Sequence, residues 1–137
     1  MKTSYDVLII GTGIAGLNCA LNLPKELDVL IVSKDYAWEC NTFYAQGGVA
    51  VAKDEEDISL HVKDTLSAGA GHCNEEAVRV LCEEGPRAIA SLIARGFCFD
   101  TDSAGKLLYT KEAAHSTNRI LHAGGDAIGR YIHLFMM

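Results

Sequence analysis

The sequence predicts an α/β domain with a mainly parallel sheet, and three observations predict it. An apolar run, Val7-Leu8-Ile9-Ile10, leads directly into Gly11-Thr12-Gly13-Ile14-Ala15-Gly16. A helical stretch follows from about Ile14 to Leu23, stopped by Pro24 and Lys25. A second apolar run, Val29-Leu30-Ile31-Val32, comes next. A strand covered on both faces needs no polar alternation, so each run reads as a buried parallel strand, and a right-handed helical crossover joins them. The spacing predicts one βαβ unit, with Tyr5–Ile10 central, Val29–Val32 beside it and helices on both faces.

The glycines between strand and helix form a G-x-G-x-x-G, and each has a separate task in a dinucleotide site. Gly11 permits the tight turn, Gly13 lets a pyrophosphate approach the backbone, and Gly16 lets the helix pack closely on the strand. The helix N-terminus then offers free N–H groups and partial positive charge to the phosphates. The plain alternative is an apolar strand-to-helix turn that binds nothing; the complete βαβ context favours the nucleotide. A ribose-binding acid is usual roughly 20 residues beyond the glycines. Here the second strand runs into Ser33 and Lys34, with Asp35 one step later, which speaks against an ordinary NAD-dependent dehydrogenase. Ser33 and Lys34 can bond to ribose or phosphate; Lys34 reads equally as a solvated loop lysine.

The remaining elements follow from local signals. A loop runs from Asp35 to Asn41, and Val49-Ala50-Val51-Ala52 follows the glycine pair Gly47-Gly48. Asp54-Glu55-Glu56-Asp57 reads as a solvated turn before a helix over Ile58–Ala68, ended by Gly69-Ala70-Gly71. Asn74 is a good N-cap, with Glu75 and Glu76 in the first turn and Ala77, Val78, Val80 and Leu81 as the buried face. Gly85-Pro86 reads as the stop of that helix and the start of another, which Arg95 and Gly96 close. Phe97, Phe99 and Leu107-Leu108-Tyr109 suggest a hairpin around Asp100–Lys106, turned at Gly105. Ala123-Gly124-Gly125-Asp126 reads as the cap of a last helix over Ile128–Met137. That helix ends in apolar Leu134-Phe135-Met136-Met137, so the chain is expected to be cut inside an element.

Composition narrows the function. The 137 residues carry a net charge of −6, which argues against nucleic acid or an acidic membrane surface as partner. The apolar and charged shares, 49% and 22%, are those of an ordinary soluble domain. The start Met1-Lys2-Thr3-Ser4-Tyr5-Asp6 lacks a signal peptide's apolar region, and no apolar run reaches the length of a membrane span. The five cysteines, Cys19, Cys40, Cys73, Cys82 and Cys98, are odd in number and form no C-x-x-C. They predict a cytoplasmic protein with reduced thiols and no metal site.

Asn41-Thr42-Phe43-Tyr44-Ala45-Gln46-Gly47-Gly48 reads either as a loop whose paired glycines serve tight geometry or as a second cofactor-holding loop. At this point the sequence resembles the L-aspartate oxidases of the succinate dehydrogenase and fumarate reductase flavoprotein superfamily. The likeness rests on Gly11–Gly16, Ser33-Lys34, Thr42–Gly48, His61–Gly71, Thr110-Lys111-Glu112-Ala113-Ala114-His115-Ser116 and Arg119-Ile120-Leu121-His122-Ala123. It implies a Rossmann-like FAD-binding domain, of which residues 1–137 are the N-terminal part; the capping and C-terminal domains are absent.

The resemblance further implies FAD as cofactor, contacted through Gly11, Thr12, Gly13, Ile14, Ala15 and Gly16, through Ser33 and Lys34, and through Asn41 to Gly48. Succinate dehydrogenases and membrane fumarate reductases attach flavin covalently to a histidine that matches Asn41, so FAD is expected to be non-covalent here. Glu112 matches the glutamate that orients the aspartate amino group; by itself it would read as an exposed loop acid. Arg119, near His115 and His122, binds a carboxylate or the flavin phosphate, or forms a structural ion pair. His61, His72 and His133 read as ordinary surface or helix histidines. The implied reaction is hydride transfer from L-aspartate to flavin, giving iminoaspartate for NAD synthesis, with dioxygen or fumarate as electron acceptor. The family's carboxylate clamps lie on later segments, so the chain alone is expected to be inactive. Two alternatives stand beside this: a soluble fumarate reductase or succinate dehydrogenase-type flavoprotein, against which Asn41 and Glu112 argue, and a non-catalytic FAD-binding fragment.

Overall fold

A computed structural model describes residues 4–137; Met1-Lys2-Thr3, part of the start read above as no signal peptide, lie outside the described residues. In chain order the elements are β1 (Val7–Ile10), α1 (Ile14–Asn22), β2 (Val29–Val32), β3 (Val49–Ala50), α2 (Glu55–Ala68), α3 (Glu75–Ala94), β4 (Tyr109–Thr110), β5 (Ile120–Leu121) and α4 (Ile128–Met136). They fall into two units: the residues up to Gln46 together with Ala127–Met137, and Gly47–Asp126.

The first unit holds the expected βαβ. β1 and β2 are parallel, with Val7 opposite Val29 and Ile10 opposite Val32. The Gly11 amide extends this ladder by donating to the Val32 carbonyl (2.8 Å). Leu17 of α1 and Ile9 of β1 are buried between helix and strands. The expected central position of β1 is not seen. β2 is its single strand partner among the described residues, and Leu8 and Ile10 are 57% and 81% exposed. α4 packs on α1. Its buried stripe, Ile128, Ile132 and Met136, repeats every fourth residue, as a helix face requires. Leu134, Phe135 and Met137 face outward. The N-cap of α4 is Ala127 and supplies no side-chain cap, so the expected capping by the preceding glycine-rich turn is replaced by a bare start.

The second unit corrects three expectations. The acidic run is not a solvated turn: Asp54 is the N-cap of α2 and accepts from the Asp57 amide (2.8 Å), so Glu55, Glu56 and Asp57 form the first helical turn. Asp57 is 4% exposed. α3 is one helix that runs through Gly85-Pro86, although Pro86 removes an amide donor from its interior. Tertiary packing outweighs that loss. Val78 and Cys82 pack with Val62, Ile58, Leu66 and Cys73, and Ile89 is buried further along the same helix. The buried face therefore runs through Val78 and Cys82, while Val80 and Leu81 point outward. Asn74 caps α3 as its sequence predicts, accepting from the Ala77 amide (3.0 Å).

The strands of this unit form a three-stranded antiparallel sheet in the order β3-β5-β4. The expected hairpin turn is present. Thr101 pairs with Leu107, Gly105 turns at φ +77°, and the Asp102 carboxylate accepts from the amides of Ala104 and Lys106. Phe97 and Phe99 meet edge to face at its base, 4.8 Å between ring centres.

Candidate cofactor and substrate site

In the first unit the glycines of the phosphate-type loop take the places their spacing predicts. Gly11 turns at φ +108°, a conformation side chains disfavour. A Cβ on Gly16 would lie 2.2 Å from the Gly11 carbonyl oxygen, so only glycine lets α1 approach the end of β1 this closely. Gly13 is the N-cap of α1 and offers no side chain to its free amides, and the first turn has no acidic residue. Ile14 and Ala15 follow on an exposed surface, and the Ile14 amide donates to the Thr42 hydroxyl (2.9 Å). A helix start with no capping side chain on Gly13, a left-handed turn and a missing Cβ suit a diphosphate: no acid in the first turn repels an anion, and the backbone can come close.

The neighbouring loop is held from a direction that sequence reasoning missed. Gly129, in α4, would place a Cβ 2.0 Å from the Thr42 carbonyl and 2.7 Å from that of Ala45, and its amide donates to Ala45 (3.1 Å). His133 is 1% exposed rather than superficial. Its Nε2 lies 3.1 Å from the Thr12 carbonyl, an acceptor only, so Nε2 carries the hydrogen. The His133 ring meets Phe43 edge to face at 5.6 Å, and the Arg130 guanidinium sits 5.9 Å from the Phe43 ring centre. One face of α4 thus fixes both Thr12 and Phe43. The only sequence signal was a glycine and a histidine four residues apart in that helix.

Asn41, Tyr44, Ala45 and Gln46 are exposed. The Tyr44 hydroxyl donates to Glu39 (2.5 Å), and that bond raises the phenol above its ordinary value. Ser33 and Lys34 are exposed at the end of β2, where the Ser33 hydroxyl donates to the Asp35 carbonyl. The Tyr36 and Trp38 rings stack at 4.8 Å just beyond.

In the second unit Gly47, Gly48, Glu112 and His122 come together. Gly47 turns at φ +79°, and a Cβ there would lie 3.7 Å from Glu112 Oε1. Gly48 has a packing reason of its own: a Cβ would fall 2.4 Å from Ile120 and 2.7 Å from the Leu121 carbonyl. The Glu112 side chain is 49% exposed and its Oε1 lies 3.7 Å from His122 Nε2. The Gly47 amide donates to Asp126.

Arg119 resolves to the structural ion pair. It is fully buried, its Nε (3.1 Å) and one terminal nitrogen (2.7 Å) on Asp57, the other terminal nitrogen on Asp64 (2.5 Å) and on His115 Nδ1 (3.1 Å). Thr117 and the Lys53 amide also bond to Asp57, and Ser116 bonds twice to Asp64. The cluster therefore pins the segment after Glu112 onto α2. Burial alone would raise both carboxyls, but the Arg119 bonds outweigh it and hold them below the usual range. Burial pulls the guanidinium down, and the two carboxylates more than reverse that. His61 is buried beside the cluster, 5.6 Å from the His115 ring, with Nδ1 unbonded; burial lowers its pKa, with Arg119 next. Among the described residues no group of three His, Cys, Asp or Glu side chains could hold a metal, and no helix is long and apolar enough to cross a membrane.

Known proteins share much of this sequence and its fold. The chain is 46% identical over 132 residues to the L-aspartate oxidase of Clostridium acetobutylicum, covering 96% of this chain and 30% of that protein. It is 47% identical over 129 residues to the chloroplastic L-aspartate oxidase of Arabidopsis thaliana, covering 93% of this chain and 20% of that protein. The chain thus spans a third or less of the length of these relatives. Among solved structures, Mycobacterium smegmatis Sdh1 superposes with a TM-score of 0.84 at 29% identity, over 96% of this chain and 23% of that one. The Escherichia coli quinol fumarate reductase superposes at 0.85 with 23% identity, a likeness of fold alone, over 96% of this chain and 23% of that one. The FAD binding domain model matches residues 6–135, from ahead of β1 into α4. With the glycine loop, the bare start of α1 and the intervening βαβ all inside that match, the chain belongs to the FAD-binding domain family, and FAD is its cofactor.

Proposed function

We propose that the chain is the N-terminal part of the FAD-binding domain of an L-aspartate oxidase, whose capping and C-terminal domains lie elsewhere in a longer protein. It would oxidise L-aspartate to iminoaspartate for NAD synthesis, in the cytoplasm, with dioxygen or fumarate as electron acceptor. The likeness to L-aspartate oxidases supports this reading. The geometric observation that carries it is Glu112, a half-exposed carboxylate set against Gly47 of the predicted cofactor loop.

The residues divide the work. In this reading Gly11, Thr12, Gly13, Ile14, Ala15 and Gly16 give a diphosphate backbone amides and a helix N-terminus. Ser33 and Lys34 bond the ribose or a phosphate. Asn41 to Gly48 lie along the flavin, and Asn41 forms no bond to it, so the cofactor is non-covalent. When bound, FAD supplies the hydride acceptor. Glu112 accepts the substrate ammonium, which an amino dicarboxylate has and succinate lacks. An anionic acceptor for that group contributes about 1.5–3 kcal/mol. The test is Glu112→Gln in the full-length protein as its gene encodes it. L-Aspartate oxidation should fall roughly tenfold to a hundredfold, with fumarate reduction far less affected. Equal loss of both activities would assign Glu112 a structural role.

A further inference from the structure

We propose that His122 is a positioning residue that governs whether Glu112 is available to the substrate ammonium. This rests on the reading of Glu112 above. His122 Nδ1 lies 3.2 Å from the Gly47 carbonyl and 3.2 Å from the Gly125 carbonyl. Carbonyl oxygens only accept, so Nδ1 must carry hydrogen. In the neutral ring Nε2 is then an acceptor, and the Thr110 hydroxyl, 2.8 Å away, donates into it rather than to the more distant Ile120 carbonyl at 3.5 Å. A neutral His122 has no hydrogen to offer Glu112 Oε1 at 3.7 Å, and the carboxylate keeps its charge for a ligand.

Protonation reverses this. The only site for a second proton is Nε2, the nitrogen that faces both Thr110 and Glu112. The Thr110 hydroxyl can turn and accept, and the positive ring then pairs with Glu112. The carboxylate on which an ammonium would dock is neutralised from inside the protein. The other acids around the ring are engaged with backbone amides. Asp100 accepts from Gly124 (3.1 Å) and Gly125 (3.4 Å), and Asp126 from Gly47. Both therefore hold the carbonyl-bearing turns that orient the ring. Thr110 pairs with Ile120 across β4–β5, and His122 follows β5 directly, which fixes their spacing.

The test uses the full-length protein with FAD, over about pH 5.5 to 8, where free aspartate keeps its charge. In the wild type, KM for L-aspartate should rise about tenfold on acidification while kcat changes less, and KM for fumarate, which has no ammonium, should stay level. His122→Asn keeps a donor near the two carbonyls but has no Nε2, and should lose the acid rise. A variant that retains the rise, or a fumarate KM that rises in parallel, would overturn the proposal. A second measurement needs no variant and no turnover: nitrogen NMR of histidine-labelled wild type should show His122 with hydrogen on Nδ1 at neutral pH. The opposite tautomer would overturn the proposal even if the variant did not fold. An unchanged aspartate KM in Glu112→Gln would instead refute the reading of Glu112, with the tautomer still read independently.

Discussion

Asp57→Ala should remove a large share of the stability of the Gly47–Asp126 unit. Arg119 has no exposed surface and Asp57 has 5% of its side chain exposed, so water cannot replace the carboxylate. Removing one partner of a buried ion pair typically costs about 3–5 kcal/mol, because the other charge is left uncompensated. The Thr117 hydroxyl and the Lys53 amide lose their acceptor as well. Asp64 remains on the opposite terminal nitrogen, which keeps the expected loss near the middle of that range, about 4 kcal/mol. A unit of this length has roughly 4–12 kcal/mol in total. Urea unfolding followed by far-ultraviolet circular dichroism, which reads α2 and α3, measures the loss. Combining Asp57→Ala with Arg119→Met should cost less than the sum of the two single changes, since the Asp57–Arg119 interaction is then lost once rather than twice, while Asp64 loses Arg119 in both Arg119→Met backgrounds. A loss below about 1 kcal/mol for Asp57→Ala, the value of an exposed pair, would refute the reasoning.

Other outcomes follow from the same geometry. Burial holds His61 below the ordinary histidine value, so the folded state binds fewer protons than the unfolded chain, and stability is lost as pH falls below about 6.5. Asp57 and Asp64 are also lowered: their stabilisation is present above about pH 4 and is lost as pH falls through their folded values. The urea midpoint should therefore decline in two steps on acidification, the first absent in His61→Gln; a flat midpoint from neutrality to pH 5 would contradict this. Gly16→Ala puts a methyl against the Gly11 carbonyl and should cost about 1–3 kcal/mol and most of the bound flavin, read as the flavin-to-protein ratio. Acid denaturation should release the flavin into the supernatant; flavin that stays with the polypeptide would contradict the role given to Asn41.

What was legible in the sequence was local. Val7–Ile10, the glycine spacing and Val29–Val32 are contiguous signals, and they produced the parallel pair and α1 as expected. What was not legible depended on partners far away in the chain. Asp57 looks like one more acid in a charged run until Arg119, sixty-two residues on, is folded against it. Gly85-Pro86 is a stop signal by local rules, and only the packing of Val78 and Cys82 against α2 explains a continuous α3. His133 reads as a routine helix histidine because nothing near it shows that Thr12 is its partner. The central placement of β1 came from a general rule about parallel sheets, and a single strand partner among the described residues does not meet it. In the candidate site, resemblance marks Glu112, whereas His122 is legible only as a residue nearby in sequence; their separation of 3.7 Å depends on the β4–β5 pairing.

In the proposed function Glu112 selects amino dicarboxylates over succinate by accepting the ammonium. The most direct measurement is the visible flavin spectrum of the full-length protein, held without oxygen, as L-aspartate or succinate is added. L-Aspartate should bleach the oxidised flavin band, and succinate should leave it intact. Bleaching by succinate with no response to L-aspartate would contradict that selectivity.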